Sequence, residues 1–103
     1  MSDSGVKMVE GTALSAQQKK DLLNRLARIE GQLRGVQKLI AAAALPSDCD
    51  GVAQQMAAAR KALDRSFVQL LTNCIVNQSD NAQDLAEAQA SSGRLAAMLD
   101  KFA

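Results

Sequence analysis

The side chains of this sequence best suited to chemistry are the two cysteine thiols, Cys49 and Cys74, because the chain contains no histidine. Thiolates bind soft metal ions, form disulfides and attack electrophiles. The chain has no Cys-x-x-Cys motif and no histidine to act as a general base, so we expect it not to be an enzyme. Either cysteine could instead be a small packing residue, an interpretation that suits Cys74, beside Leu70 and Leu71, better than Cys49.

The elements that must position these thiols are helices. One proline, 2% aromatic residues and no alternating strand pattern predict an all-α fold with an aliphatic core. We predict a flexible arm over residues 1–14 and a single helical domain over residues 15–103, with helices at about 16–44, 48–78 and 81–102. The three N-caps expected from the sequence are Ser15 in a capping box with Gln18, then Ser47, and then Ser79 or Asp80.

Apolar residues recur every three or four positions in each predicted helix. The first helix has Leu22, Leu26, Ile29, Leu33, Val36, Ile40 and Ala43; the second has Val52, Met56, Ala59, Leu63, Phe67, Leu70, Leu71 and Cys74; the third has Leu85, Ala88, Ser92, Leu95, Leu99 and Phe102. Two helices near 30 residues are each about 45 Å long, and a shorter third helix cannot cover both. We therefore expect a helical bundle that a second chain completes.

The spacing of the cysteines constrains any site that they share. They lie 25 residues apart in the same predicted helix, which corresponds to roughly 37 Å. A joint site must therefore use Cys49 of one chain and Cys74 of another.

Positive charge is concentrated between residues 19 and 65, which hold nine of the twelve lysines and arginines, although the net charge is only +1. This distribution favours an anionic partner, and a solvated helix face is the alternative. No helix-turn-helix or zinc-finger pattern is visible. If they share one surface, the basic residues that could neutralise phosphates are Lys20, Arg28, Arg34, Lys38, Arg60, Lys61 and Arg65.

Neither a signal peptide nor an apolar run long enough to span a bilayer is visible in the sequence. We therefore expect a cytoplasmic protein without a membrane partner, in which the cysteines are reduced.

Several segments resemble the CsoR/RcnR/FrmR family of repressors, which respond to copper, to nickel or cobalt, or to formaldehyde. The run LNRLARIEGQLRGV at residues 23–36 is similar to the family's signature helix. The similarity continues through Cys49, through MAAARKALDR at residues 56–65, and to Lys101-Phe102. It covers roughly residues 16–103.

The resemblance implies a three-helix protomer that forms an antiparallel bundle dimer and a disc-shaped dimer-of-dimers tetramer. It also implies binding to double-stranded operator DNA, with release when an inducer reacts at a cysteine between subunits. Arg25 and Arg65 match basic positions implicated in DNA binding, and Cys49 matches the sensor cysteine. Cys74 and Gln78 fall where the copper sensors have histidine and cysteine.

This chain therefore has Cys, Cys, Gln where the copper sensors have Cys, His, Cys. The lack of histidine argues against nickel and cobalt, and Ser2 replaces the N-terminal proline of the formaldehyde sensors. The persulfide sensors have their second cysteine at the position of Gln78. Cu(I), which two thiolates can bind, and an oxidant or reactive-sulfur species remain as inducers. The other hypothesis is a helical protein-interaction module in which both cysteines are purely structural.

Overall fold

The computed structural model describes residues 6–102 and consists of three helices: α1 at Ala16–Ala42, α2 at Asp48–Asn81 and α3 at Leu85–Phe102. The described part of the chain contains no strand, so the predicted all-α class is confirmed. Residues 6–15 precede α1 without helical structure. Residues 1–5 of the predicted arm, and residue 103, lie outside the described residues.

The predicted capping box starts α1. The Gln18 amide donates to Ser15 Oγ at 3.1 Å, and the Ser15 amide donates to Gln18 Oε1 at 2.8 Å. These two bonds satisfy backbone donors that a helix N-terminus leaves without partners.

The connection between α1 and α2 differs from the prediction in its cap. Helix α1 ends at Ala42, and Ser47 makes no side-chain cap bond. Instead, Asp48 Oδ2 accepts hydrogen bonds from the amides of Ala44 and Leu45 at 2.9 and 3.0 Å. The Asp48 amide donates to the Leu45 carbonyl, so the first donor of α2 is satisfied without the Ser47 hydroxyl.

The boundary between α2 and α3 also lies further along the chain than predicted. Helix α2 continues through Ser79 and Asp80 to Asn81, so neither of these residues caps α3. Asp84 does so, because its Oδ1 accepts a hydrogen bond from the Glu87 amide at 2.8 Å. The Glu87 carboxylate in turn accepts from the Gln83 amide at 2.7 Å.

Helices α1 and α2 pack through residues spaced seven apart. The buried residues of α1 are Leu22, Ile29 and Val36, and those of α2 are Ala59, Ser66 and Asn73. The predicted apolar face of α2 is therefore only partly correct. Ala59 is buried, but Met56, Leu63, Phe67 and Leu70 are 37–49% exposed. The α2 residues buried at this contact are small or polar, whereas the bulky apolar ones remain largely exposed.

Helix α3 packs against α2 and makes no helix contact with α1. Its buried residues are Ser91 and Leu95, and the Phe102 ring meets the Phe67 ring edge-on at 5.9 Å. Leu85, Leu99 and Phe102, which were predicted to be on the apolar seam, are 43–73% exposed.

The protomer is flat. Its principal extents are 61 × 33 × 13 Å, and its radius of gyration is 18.2 Å. A compact chain of this length has a radius near 13 Å, and a helix with side chains is about 10–12 Å wide. The molecule is thus one helix layer thick. No helix in the described part of the chain has the length and hydropathy needed to cross a bilayer.

The Asp84 cap provides a test of the revised boundary. Asp84→Ala should lower the free energy of unfolding by about 0.5–2 kcal/mol, because the Glu87 amide loses its acceptor. Asp80→Ala, within α2, should change it by less than about 0.5 kcal/mol. Urea denaturation followed by circular dichroism measures both changes. A larger effect at Asp80 would restore the boundary predicted from the sequence.

Candidate functional site

Cys49 lies in the first turn of α2, and its side chain is exposed. The Cys49 amide donates to the Pro46 carbonyl at 3.2 Å, so the loop before α2 fixes the backbone that carries the thiol. Among the described residues, the exposed thiol is therefore not a packing residue of its own protomer.

Cys74 lies in the same continuous helix and is half-buried. Because α2 is unbroken between the two cysteines, about 37 Å of helix separates them. At 100° per residue, Cys49, Cys74 and Gln78 fall on the side of α2 that also carries Leu63 and Phe67. Within one protomer the structure therefore aligns the two thiols on one face but does not bring them together.

Gln78 follows Cys74 by one helical turn and has an unsatisfied acceptor. Its Oε1 is buried and accepts no hydrogen bond in the described structure. A buried polar atom without a partner costs roughly 1–3 kcal/mol. The side chain lines a cavity of about 430 Å³ at the corner between α2 and α3, whose other polar lining residues are Thr12, Asn77, Asn81, Glu87, Ser91 and Arg94.

Sequence reasoning missed a hydrogen-bond cluster at this end of α2. Asn77 Nδ2 donates to Gln18 Oε1 at 2.6 Å and to the Ala13 carbonyl at 3.0 Å. It thereby ties the start of α1 and the segment before it to α2. The sequence did contain one indication of this cluster. Gln18 lies one turn before Leu22 on the same side of α1, where the apolar pattern predicts an apolar residue.

Four of the predicted basic residues come together along the groove between α1 and α2. Arg25 lines three neighbouring hollows of this groove and shares two of them with Arg65. Arg28 and Lys61 each line at least one of the same hollows. We call Arg25, Arg28, Lys61 and Arg65 the basic groove. All four side chains are exposed.

The other four predicted basic residues lie elsewhere on the two helices. Their side chains are exposed, and none of them lines the three hollows: Lys20, Arg34, Lys38 and Arg60.

The two faces of the flat protomer thus differ. The basic groove lies on one side of the buried α1–α2 contact. On the other side, by helical geometry, lie Leu26 and Leu33 of α1, and Leu63, Leu70 and Cys74 of α2. A nucleic acid on the first face would leave the second face free for another protein surface.

The described part of one protomer does not bring together enough ligands for a metal ion. Within residues 6–102, no three cysteine, aspartate or glutamate side chains cluster in a way that could hold one. The soft donors that the chain offers are the free thiols of Cys49 and Cys74, and Gln78 Oε1 accepts no hydrogen bond within the described residues.

A family model described as a metal-sensitive transcriptional repressor matches residues 18–101. The chain belongs to this family. No curated protein and no solved structure is significantly similar to the chain. The match covers all three helices except the first two residues of α1 and the last residue of α3. Membership confirms the resemblance seen in the sequence and places the chain among metal-sensitive, DNA-binding transcriptional repressors rather than in an enzyme family.

The carboxylate of Asp48, next to Cys49 at the start of α2, accepts two backbone hydrogen bonds, which predict that stability depends on pH. The amides of Leu45 and Ala44 donate to the Asp48 carboxylate and lower its pKa below the ordinary value of 3.8. A carboxyl group of this kind stabilises the folded state above its ordinary pKa. That stabilisation is lost as the pH falls through the lowered, folded-state pKa.

We therefore expect the thermal midpoint of Asp48→Asn to fall less than that of the wild type between about pH 5 and about pH 2. Asp50→Asn, in the same helix turn, is the matched control and should retain the full decrease. Differential scanning fluorimetry across this range measures the three curves. Equal decreases in the wild type and Asp48→Asn would show that the two amide bonds do not form in solution.

Proposed function

We propose that this chain represses transcription as a symmetric assembly. It holds operator DNA on the basic groove and releases the DNA when an inducer reacts between Cys49 of one subunit and Cys74 of another. Family membership supports the repressor class. The observation that carries the finer proposal is the separation of the two faces: four exposed cations on one side, and the cysteines among exposed apolar residues on the other.

The groove has the properties of a duplex-binding surface. Its cations come from both α1 and α2, so they form a two-helix surface that can contact several phosphates. Each phosphate neutralised releases counterions, which makes the affinity depend steeply on salt. The packing of α1 on α2 sets the spacing of these charges, so a shift between the two helices moves them relative to the phosphates.

Exposed area supports pairing through the opposite face. The protomer exposes 7748 Å² of surface. A compact monomer of 10.9 kDa exposes about 5,600 Å², roughly 2,100 Å² less. An excess of this size on each of two chains lies within the range of obligate homodimer interfaces. The exposed residues include two rows with seven-residue spacing, which is the repeat of paired helices: Leu26, Leu33 and Ile40 on α1, and Met56, Leu63 and Leu70 on α2.

Pairing of this kind explains the positions of the cysteines. An antiparallel partner would place its Cys49 near Cys74 at each end of the paired α2 helices. Two thiolates suit Cu(I), and Gln78 offers only a weak additional oxygen donor. With an organic persulfide as the inducer, the Cys49 thiolate would instead attack the outer sulfur, the S–S bond of the persulfide would break, and the organic thiolate would leave. Attack by Cys74 on the resulting Cys49 persulfide would then form a disulfide and expel hydrosulfide.

Helix α2 would link the inducer site to the DNA-binding surface. Ligation or cross-linking at the cysteines stabilises one packing of the α2 helices against their partners. Arg65 lies on the same helix as Cys49 and Cys74, so a rotation of α2 that suits the sensor site also moves this guanidinium. An inducer that binds this packing more tightly lowers the population that fits DNA.

Fluorescence anisotropy on the duplex immediately upstream of the chain's own gene tests the proposal. The reduced wild type should bind tightly and in a salt-dependent manner. Of three separate challenges, Cu(I) or an organic polysulfide should release it, and formaldehyde should not. Cys49→Ser should bind the duplex as tightly as the wild type but stay bound under the same challenge.

Three outcomes would contradict parts of this proposal. Release of Cys49→Ser by the inducer would remove Cys49 from the site. Release of the wild type by formaldehyde alone would remove both Cu(I) and reactive sulfur as the inducer. Absence of specific binding by the reduced wild type would favour the helical interaction module with structural cysteines.

The pairing face has a test of its own. Leu63→Glu should lower the mass of the assembly in sedimentation velocity, because a buried unpaired carboxylate opposes association. Ala57→Glu places the same charge on α2 at an exposed position outside the two rows and should leave the mass unchanged. If Leu63→Glu retains the wild-type mass, this face is not the interface.

A further inference from the structure

The groove between α1 and α2 also contains uncharged and acidic side chains, which are not needed to bind phosphates. Gln69 shares two of the three hollows with Arg25, from the opposite helix. Asp21 and Asp64 also line these hollows. One hollow is lined entirely by polar or charged residues: Gln18, Asp21, Asn24, Arg25, Arg28, Gln69 and Asn73.

The chemistry of this set matches base edges better than phosphates. A phosphate needs only a cation or a single donor, and carboxylates at Asp21 and Asp64 would repel it. In the major groove, arginine pairs with guanine O6 and N7, glutamine with adenine N6 and N7, and aspartate accepts from the cytosine amino group. All three side-chain types meet around Arg25.

The Gln69 amide is also held in place. Its Nε2 donates to Asn73 Oδ1 at 2.8 Å, and Asn73 is only 8% exposed. This bond restricts the Gln69 side chain while it remains partly exposed in the groove. A side chain that is already restrained loses less conformational entropy when it makes two hydrogen bonds to a base.

We propose that Gln69 and Arg25 read base edges, whereas Arg28, Lys61 and Arg65 bind phosphates. Asn73 is a positioning residue for Gln69. This assignment rests on the proposed binding of a DNA duplex to the basic groove. It goes further by dividing the groove into residues that determine which sequence is bound and residues that determine how strongly any duplex is bound.

The test compares two duplexes of equal length: the one that wild-type full-length protein enriches most from a random pool, and a scrambled version of it. Gln69→Ala should lower affinity for the selected duplex by roughly 5- to 100-fold and leave the scrambled duplex unchanged. Its salt dependence should match the wild type, because the variant keeps every cation that binds a phosphate. Anisotropy over a salt series gives both quantities.

Three further variants make the result specific. Lys61→Ala should weaken both duplexes equally and reduce the salt slope by about 0.9 for each phosphate that the lysine neutralises. Gln69→Lys replaces the amide with a positive charge. It should therefore bind the scrambled duplex more tightly and show a smaller preference for the selected duplex. Gln89→Ala, an exposed glutamine on α3, should behave as the wild type.

Equal losses of affinity for both duplexes, or no loss, in Gln69→Ala would overturn the assignment while leaving the repressor function standing. Failure of the wild type to bind any duplex would overturn both. Circular dichroism confirms that each variant folds. If Gln69→Ala does not fold, Gln69→Lys carries the same comparison, and an unchanged preference for the selected duplex in that variant would also overturn the assignment.

Discussion

The contact between α1 and α2 fixes the position of every group with a proposed role in this repressor. Leu22, Ile29 and Val36 of α1 are buried along a stripe of α2 whose members, Ala59, Ser66 and Asn73, are small or polar. Because both stripes have seven-residue spacing, the helices stay in register over several turns. The exposed side chains are consequently divided between two faces, one carrying the cations of the groove and the other carrying apolar residues and thiols.

Helix α2 is shared by both faces. It carries Cys49 at its first turn, Arg65 and Gln69 in its middle, and Cys74 further on, without a break. Under the proposed function, signal and response would need no chain of intermediate contacts. The same helix would present the thiols to a second subunit and the amide and guanidinium groups to a duplex. A small rotation or translation of this helix relative to α1 is enough to alter both surfaces.

The sequence predicted those features of this arrangement that depend on a short stretch of neighbouring residues. The capping box of Ser15 and Gln18, the three helices and the family were predictable, because each rests on a short pattern. The predicted start of α3 was wrong because aspartate is a suitable cap at both position 80 and position 84. Only the hydrogen bond from the Glu87 amide to Asp84 shows that the cap is Asp84. The prediction of which α2 residues are buried was partly wrong, for a different reason. Sequence periodicity locates apolar side chains, but it does not distinguish those covered by the same chain from those left for another.

The thinness of the protomer has a consequence for the cell. A layer 13 Å deep has little interior of its own, so under the proposed pairing folding and assembly bury much of the same apolar surface. The stability of such a chain is inseparable from its concentration. Scarce copies would remain largely unpaired and open to proteases, whereas abundant copies would protect one another. The amount of active repressor would then rise more steeply than its rate of synthesis, giving the regulated promoter a threshold set by protein dosage as well as by inducer.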